Sequence, residues 1–314
     1  MTQSPVSPEN LASPANLASP APAQHGGDQP RGFAFALGAY TLWGFLPLYM
    51  KALAHVPTFE VLAHRVIWSV PVAGLLLVWL GRTGDLMAAL RNRRMLAMGA
   101  LSAALIAVNW GIYVWAVQNG HALDAALGYY INPLLTVITG AVILREALNR
   151  WQMAALVLAG LAVALLTWEA GRLPVLALGM TLSWACYAFA KKQLPIGPNQ
   201  GFLLEVLILL PLALAYAIWA ALRGESAFMA MGTDTVLLAC AGLVTAIPLI
   251  LYANGAKLLR LSTIGILQYV SPTLIFLVAV FVFDEPFSGL KAVAFALIWS
   301  ALAVYTFGMM RGRK

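Results

Sequence analysis

Ten apolar stretches of about twenty residues, joined by short polar connections, leave this chain few ways to fold. They lie at 33–53, 60–80, 95–118, 124–144, 151–169, 175–193, 202–222, 236–258, 263–283 and 290–310. Each can cross roughly 30 Å of hydrocarbon as a helix. No water reaches the backbone inside a bilayer, so a spanning stretch must be a helix or a strand of a closed barrel. These runs are continuous and do not alternate, which argues against the barrel. With 61% hydrophobic and 10% charged residues, the chain also lacks the polar surface to cover one soluble core. The sequence predicts an all-α, polytopic membrane protein of ten transmembrane helices.

The ten stretches divide into two copies of five. Tyr113, Tyr130, Pro133 and Glu146 recur 139 positions later as Tyr252, Tyr269, Pro272 and Glu285. At offset 141, Leu37, Gly38, Trp43 and Lys51 match Leu178, Gly179, Trp184 and Lys192. An odd number of spans per copy turns the second copy upside down, a common build for secondary transporters. The expected organisation is a tail at 1–31, repeats at 32–170 and 171–310, and a basic end at 311–314. Fourteen of the nineteen basic residues fall on one side of this topology and four on the other, with Arg65 inside a span. The positive-inside rule then places both termini in the cytoplasm. The net charge of +7 follows from that bias and from contacts with anionic headgroups; scattered over six loops and ends, it gives no nucleic-acid surface.

Residues 1–30 hold six prolines and a duplicated Leu-Ala-Ser-Pro. Such a segment buries too little apolar area to order itself, and it lacks the charge and apolar core of a signal peptide. Cys186 and Cys240 fall within apolar runs and read as packing residues. No metal-ligand spacing is present, and neither cofactor nor metal is expected.

An ionisable group inside a span costs about 2.5–3.5 kcal/mol on insertion scales, so each one is a functional candidate. The second span carries Glu60, His64, Arg65 and Trp68. Glu60 and His64 share a helical face, while Arg65 lies about 100° round with Trp68 on its face. The inverted alignment sets Glu205 opposite His64, so a cation and an anion could face one cavity. The quieter alternatives stay open: Glu60 suits the positive end of its helix, and Arg65 could clamp carbonyls of a broken neighbour. Asn109 and Tyr113, Tyr130 and Asn132, Tyr252, and Gln268, Tyr269 and Ser271 add amide and hydroxyl groups that need partners in hydrocarbon. With Trp43 and Trp184, they make a lining suited to an amphiphilic or ring-bearing solute. Trp79, Trp151, Trp168 and Trp219 fit an interfacial belt instead. Pro47, Pro133, Pro248 and Pro272 interrupt spans and each removes a backbone donor, which marks either a hinge or a packed kink. Glu146 and Glu285 precede spans 5 and 10 and read as helix-start residues.

Several of these stretches resemble one known family: Tyr40 to Lys51, Glu60 to Ser69, Asn109 to Tyr113, and Leu127 to Leu135. They are similar to the EamA family of the drug/metabolite transporter superfamily, and specifically its RarD branch. The likeness runs over about residues 32–310, dense in the first half. The second half matches mainly through Trp184, Tyr269, Pro272 and Glu285. The resemblance implies ten helices in two inverted repeats around a central cavity, and transport across a bacterial plasma membrane. The branch is named for chloramphenicol sensitivity.

Three function classes meet these residues. A secondary transporter needs no nucleotide motif, and no G-x-x-x-x-G-K-[ST] occurs. Its partners would be the lipid bilayer, a small-molecule substrate, and a proton or other coupling ion. An intramembrane enzyme would need paired carboxylates or histidines, which the spacing does not offer. A passive channel is the third reading, and the buried Arg65 and Glu205 speak against a merely structural role.

Overall fold

The computed structural model describes residues 29–81, 83–143, 150–171, 173–259 and 261–311. In chain order the helices are α1 (Pro30–Ala52), α2 (Thr58–Trp79), α3 (Thr83–Arg91), α4 (Arg93–Gln118), α5 (Ala122–Ile143) and α6 (Arg150–Ala170). They continue as α7 (Val175–Gln193), α8 (Pro198–Leu222), α9 (Thr233–Leu258), α10 (Leu261–Leu267), α11 (Val270–Phe281) and α12 (Gly289–Arg311). A 3-10 turn, Phe228–Ala230, precedes α9. Seven of these helices (α1, α2, α4, α6, α8, α9 and α12) are long and apolar enough to cross a membrane. The chain is an all-helical, multi-pass membrane protein, with no strand among the described residues.

Local chemistry sets the ends. Pro30 and Pro198 open α1 and α8, where a missing N–H costs nothing. Asn92 caps α4, its Oδ1 accepting from the N–H of Arg94 at 3.0 Å and Met95 at 3.2 Å. Gly81 and Gly224 follow α2 and α8 with φ of 64° and 69°, a left-handed conformation that only glycine adopts freely.

Two features depart from the expected spans. The segment between the second and third stretches is not a plain loop: α3 forms there and buries Leu86 and Ala89 against its neighbours α4 and α8. The stretch 263–283 is not one helix but two, broken at Gln268 and Tyr269. Pro272 explains the break, because it lacks an N–H for the carbonyl of Gln268 and its ring crowds that carbonyl. Pro47 and Pro248, by contrast, lie inside helices that run on through them. Pro133 falls within α5, but its side chain lies outside the described residues, as does Glu146 altogether.

The packing has a pattern. α1 packs on α9 and α11, while α7 packs on α4 and α5. α2 lies against α8 and α9, and α8 against α2 and α4. α5 meets α11, and α6 and α12 pack chiefly on each other. Small residues permit the closest approaches. A Cβ on Gly128 of α5 would come within 3.0 Å of the Ala177 carbonyl of α7, whose Thr181 hydroxyl also donates to the Gly128 carbonyl at 2.8 Å. The outward faces are apolar, with Trp79, Trp168 and Leu222 all more than 80% exposed, as lipid contact requires.

Candidate functional site

The helices enclose a cavity of about 550 Å³, a volume typical of a small-molecule site. Its wall takes residues from α1, α2, α4, α5, α7, α8, α9 and α11, with none from α3, α6 or α12 among those described. One side is aromatic. The rings of Tyr40, Trp43 and Tyr252 meet pairwise at centroid separations of 5.7 to 5.9 Å. Trp184 and Tyr187 sit 5.6 Å apart, and Tyr113 and Tyr129 5.9 Å apart. Helical spacing places them: Tyr40 and Trp43, like Trp184 and Tyr187, are three residues apart and share a face.

Arg65 enters this cavity from α2. The residue is 4% exposed. Its Nε donates to Thr245 Oγ1 of α9 at 3.1 Å, and its guanidinium carbon lies 4.6 Å from the ring centre of Trp110 on α4. The contact with Trp110 is a cation–π interaction, strengthened by the dry surroundings. Asn109, one residue away from Trp110, reaches across to α7. Its Nδ2 donates to the Met180 carbonyl at 2.9 Å and to Ser183 Oγ at 3.0 Å. Its Oδ1 and the Tyr113 hydroxyl are buried with no hydrogen-bond partner. Gln268 and Ser271 line the wall at the break between α10 and α11.

Lys191 also lines the cavity, and its Nζ lies 2.7 Å from Glu205 Oε1. Glu205 is 1% exposed; it accepts further from Ser102 Oγ at 2.8 Å and from the Tyr187 hydroxyl at 3.3 Å. Three helices, α4, α7 and α8, thus meet around one largely buried ion pair. Those bonds fill the oxygens of Glu205, which offsets part of the cost of burying its charge, while the Lys191 ammonium meets Glu205 and stays 22% exposed.

The sequence candidates divide by helix face. Trp43, Arg65, Asn109, Tyr113, Asn132, Trp184, Tyr252, Gln268 and Ser271 line the cavity, and so does Pro272. Glu60, His64, Trp68, Tyr130, Glu205 and Tyr269 do not. The expected facing of His64 and Glu205 across one cavity is therefore not found. Glu60, His64 and Trp68 recur every four residues on the face that turns away. There Trp68 Nε1 donates to His64 Nδ1 at 3.3 Å, so Trp68 sides with His64 and not with Arg65. His64 stacks on Phe228 at 4.4 Å, beside a separate hollow of about 210 Å³. Glu60 accepts from Ser226 Oγ at 2.7 Å and from the N–H of Ala227 at 3.2 Å and Phe228 at 3.1 Å. It holds the turn before α9 in place.

Tyr130 points away from the cavity, its hydroxyl 2.8 Å from Thr273 Oγ1 and its ring against Phe295, while its neighbour Tyr129 takes the lining position. Tyr269 packs against the main apolar core. Glu285 does act at a helix start, but not its own. Its two oxygens accept from the N–H of Ala122 at 2.7 Å and Leu123 at 2.8 Å, which open α5. Trp110 and Tyr129, aromatic neighbours of Asn109 and Asn132 on the same spans, line the site too, and so do Tyr40, Tyr187, Lys191 and Thr245, which nothing in the sequence reading proposed for it. Of these, Lys191 had a signal, since a carboxylate one turn inside a span calls for a cation at equal depth.

The profile of the EamA-like transporter family matches residues 30–168. Over 285 residues, covering 90% of each chain, the sequence is 40% identical to Protein RarD of Streptomyces exfoliatus. It is 39% identical over 279 residues to Protein RarD of Escherichia coli (strain K12), covering 88% of this chain and 93% of that one. A protein of known crystal structure superposes on 90% of this chain and 99% of its own, with a TM-score of 0.58 and 22% identity, which shows a shared fold. A bundle of apolar helices around an aromatic cavity, with these relatives along nearly its whole length, belongs to the EamA-like transporter family, beside the RarD proteins, and is a membrane transporter.

Proposed function

We propose that the chain is a secondary-active transporter of small amphiphilic or aromatic solutes, chloramphenicol among the candidates. It works by alternating access between two inverted halves of five helices, 32–170 and 171–310. The pattern of helix pairs carries this reading. Exchanging each of α1, α2, α4, α5 and α6 with its counterpart α7, α8, α9, α11 and α12 turns the α1–α9 contact into α7–α4, and α1–α11 into α7–α5. It leaves α2–α8, α5–α11 and α6–α12 unchanged. Two like halves related in this way, with the cavity between them, form a carrier able to rock about a central site. The basic bias puts both termini in the cytoplasm of a bacterial inner membrane. Glu205 with Lys191 is the candidate group for a coupling proton or ion.

The test is counterflow in proteoliposomes holding the purified chain. Labelled aromatic solute should enter in a saturable way and faster when unlabelled solute is loaded inside. Flux that rises linearly with concentration and ignores internal solute marks a channel. Absence of protein-dependent flux under every imposed gradient refutes the carrier. At equal membrane abundance, Arg65→Ala should lower uptake more than Trp168→Ala, because Trp168 is 84% exposed and outside the cavity.

A further inference from the structure

We propose that Arg65 is the docking point for an anionic group, so that the cavity is built for aromatic solutes carrying a carboxylate. This rests on reading the cavity as the solute site. The argument starts from charge. Arg65 is a guanidinium, which stays protonated, held inside a transmembrane helix at 4% exposure. Among the described residues, no carboxylate lies within ion-pair distance of it. The two acids that could have served are committed elsewhere. Glu60, on the same helix, gives its oxygens to Ser226, Ala227 and Phe228. Glu205 gives its oxygens to Lys191, Ser102 and Tyr187. The Lys191 charge is thus matched and the Arg65 charge is not. No Asp or Glu lines the cavity among the described residues, so it carries one uncompensated positive charge.

Two neutral contacts position this charge without cancelling it. Thr245 takes Nε, and Trp110 covers one face of the guanidinium. Nη1 is left buried with no partner. With Nε held, the Nη edge remains, and a guanidinium edge takes a carboxylate through two parallel bonds. The surroundings fit the rest of such a solute. The Tyr113 hydroxyl, buried without a partner, can donate to the same anion, and Asn109 Oδ1 can accept an N–H or O–H from the solute body. The Tyr40, Trp43 and Tyr252 rings supply faces and edges for an aromatic group. A neutral solute of equal shape would fill the space and leave the guanidinium unpaired.

The test uses matched probes on the purified full chain in detergent, read by titration calorimetry and thermal shift. Phenylacetate is compared with phenylacetamide, indole-3-acetate with indole-3-acetamide, and sodium sulfate serves as an anion without a ring. The carboxylates should bind on the order of tenfold or more tighter than their amides. Arg65→Gln should bring carboxylate affinity down to that of the amide and leave the amide unchanged, and Arg65→Lys should restore part of the preference. Should Arg65→Gln fail to fold, the comparison of pairs on the unaltered chain decides alone. Amides binding as well as carboxylates would overturn the proposal, as would a preference that survives Arg65→Gln. So would protection by sulfate equal to that by the aromatic anions, or no carboxylate binding at all. The readout is binding, so it separates the two claims. Anion preference without flux sinks the carrier and keeps the site; flux of neutral solutes without anion preference does the reverse.

Discussion

The contact between α2 and α9 depends on one missing side chain, and restoring it is a quantitative test of the packing. Gly242 of α9 faces the backbone of α2. A Cβ there would stand 2.7 Å from the Ser69 nitrogen and closer still to the Trp68 carbonyl, whereas ordinary contact begins near 3.4 Å. Those atoms are backbone and cannot swing away, so in Gly242→Ala the two helices must separate by more than the roughly 0.7 Å that the Ser69 nitrogen alone demands. The strain travels. Thr245 lies three residues from Gly242, and Arg65 three from Trp68, so their bond sits on the same seam. A rigid shift of that size takes the 3.1 Å bond from Arg65 to Thr245 to about 3.8 Å, beyond hydrogen-bond range. Overpacking of this kind costs about 1–3 kcal/mol, and loss of a bond to a charged donor adds roughly 1.5–3 kcal/mol. The expected outcome is a fall of several degrees in the apparent Tm of purified protein. Gly160→Ala is the control, because nothing lies within 4 Å of its added Cβ and alanine favours the helix. An apparent Tm for Gly242→Ala equal to that of Gly160→Ala would refute the close approach of α2 and α9.

Two further substitutions test polar contacts that brace the bundle. Glu285→Ala leaves the first N–H groups of α5 without their acceptor, and should cost about 1–3 kcal/mol in thermal unfolding. Glu285→Ser, too short to reach, should behave the same way. Glu60→Ala frees the turn at Phe228–Ala230, so hydrogen exchange at residues 226–230 should speed up while exchange in α4 stays as it was.

What the sequence disclosed follows from what a period of 3.6 residues can and cannot report. Arg65 stood out because its charge is expensive anywhere in a bilayer, and Trp43 and Trp184 because two copies of one module place them alike. The choice between adjacent residues was beyond it. Arg65 and His64, or Tyr129 and Tyr130, differ by about 100° of helix rotation, and only the neighbouring helices decide which faces the cavity. A lysine at the end of a span looks like one more basic loop residue, yet Lys191 lines the cavity and pairs with Glu205. The break at Gln268 and Tyr269 has its cause in Pro272, but Pro47 and Pro248 carry the same letter and leave their helices unbroken, so the letter alone does not locate a break. α3 escaped notice because nine residues are too few for a periodic signal.

The partners of α2 raise a question of timing. Glu60 and Arg65 bond to Ser226, Ala227, Phe228 and Thr245, which lie 166 to 180 positions further along the chain. At about 5–20 residues per second, a ribosome needs roughly ten to forty seconds to reach them. Throughout that interval a helix carrying an acid, a histidine and an arginine has left the ribosome, and the groups that satisfy two of them have not been made. Either water and lipid headgroups serve α2 at the rim of the insertion channel during those seconds, or the channel retains it until α9 emerges. The bond between Arg65 and Thr245 therefore cannot close until α9 has been made, long after α2 has left the ribosome.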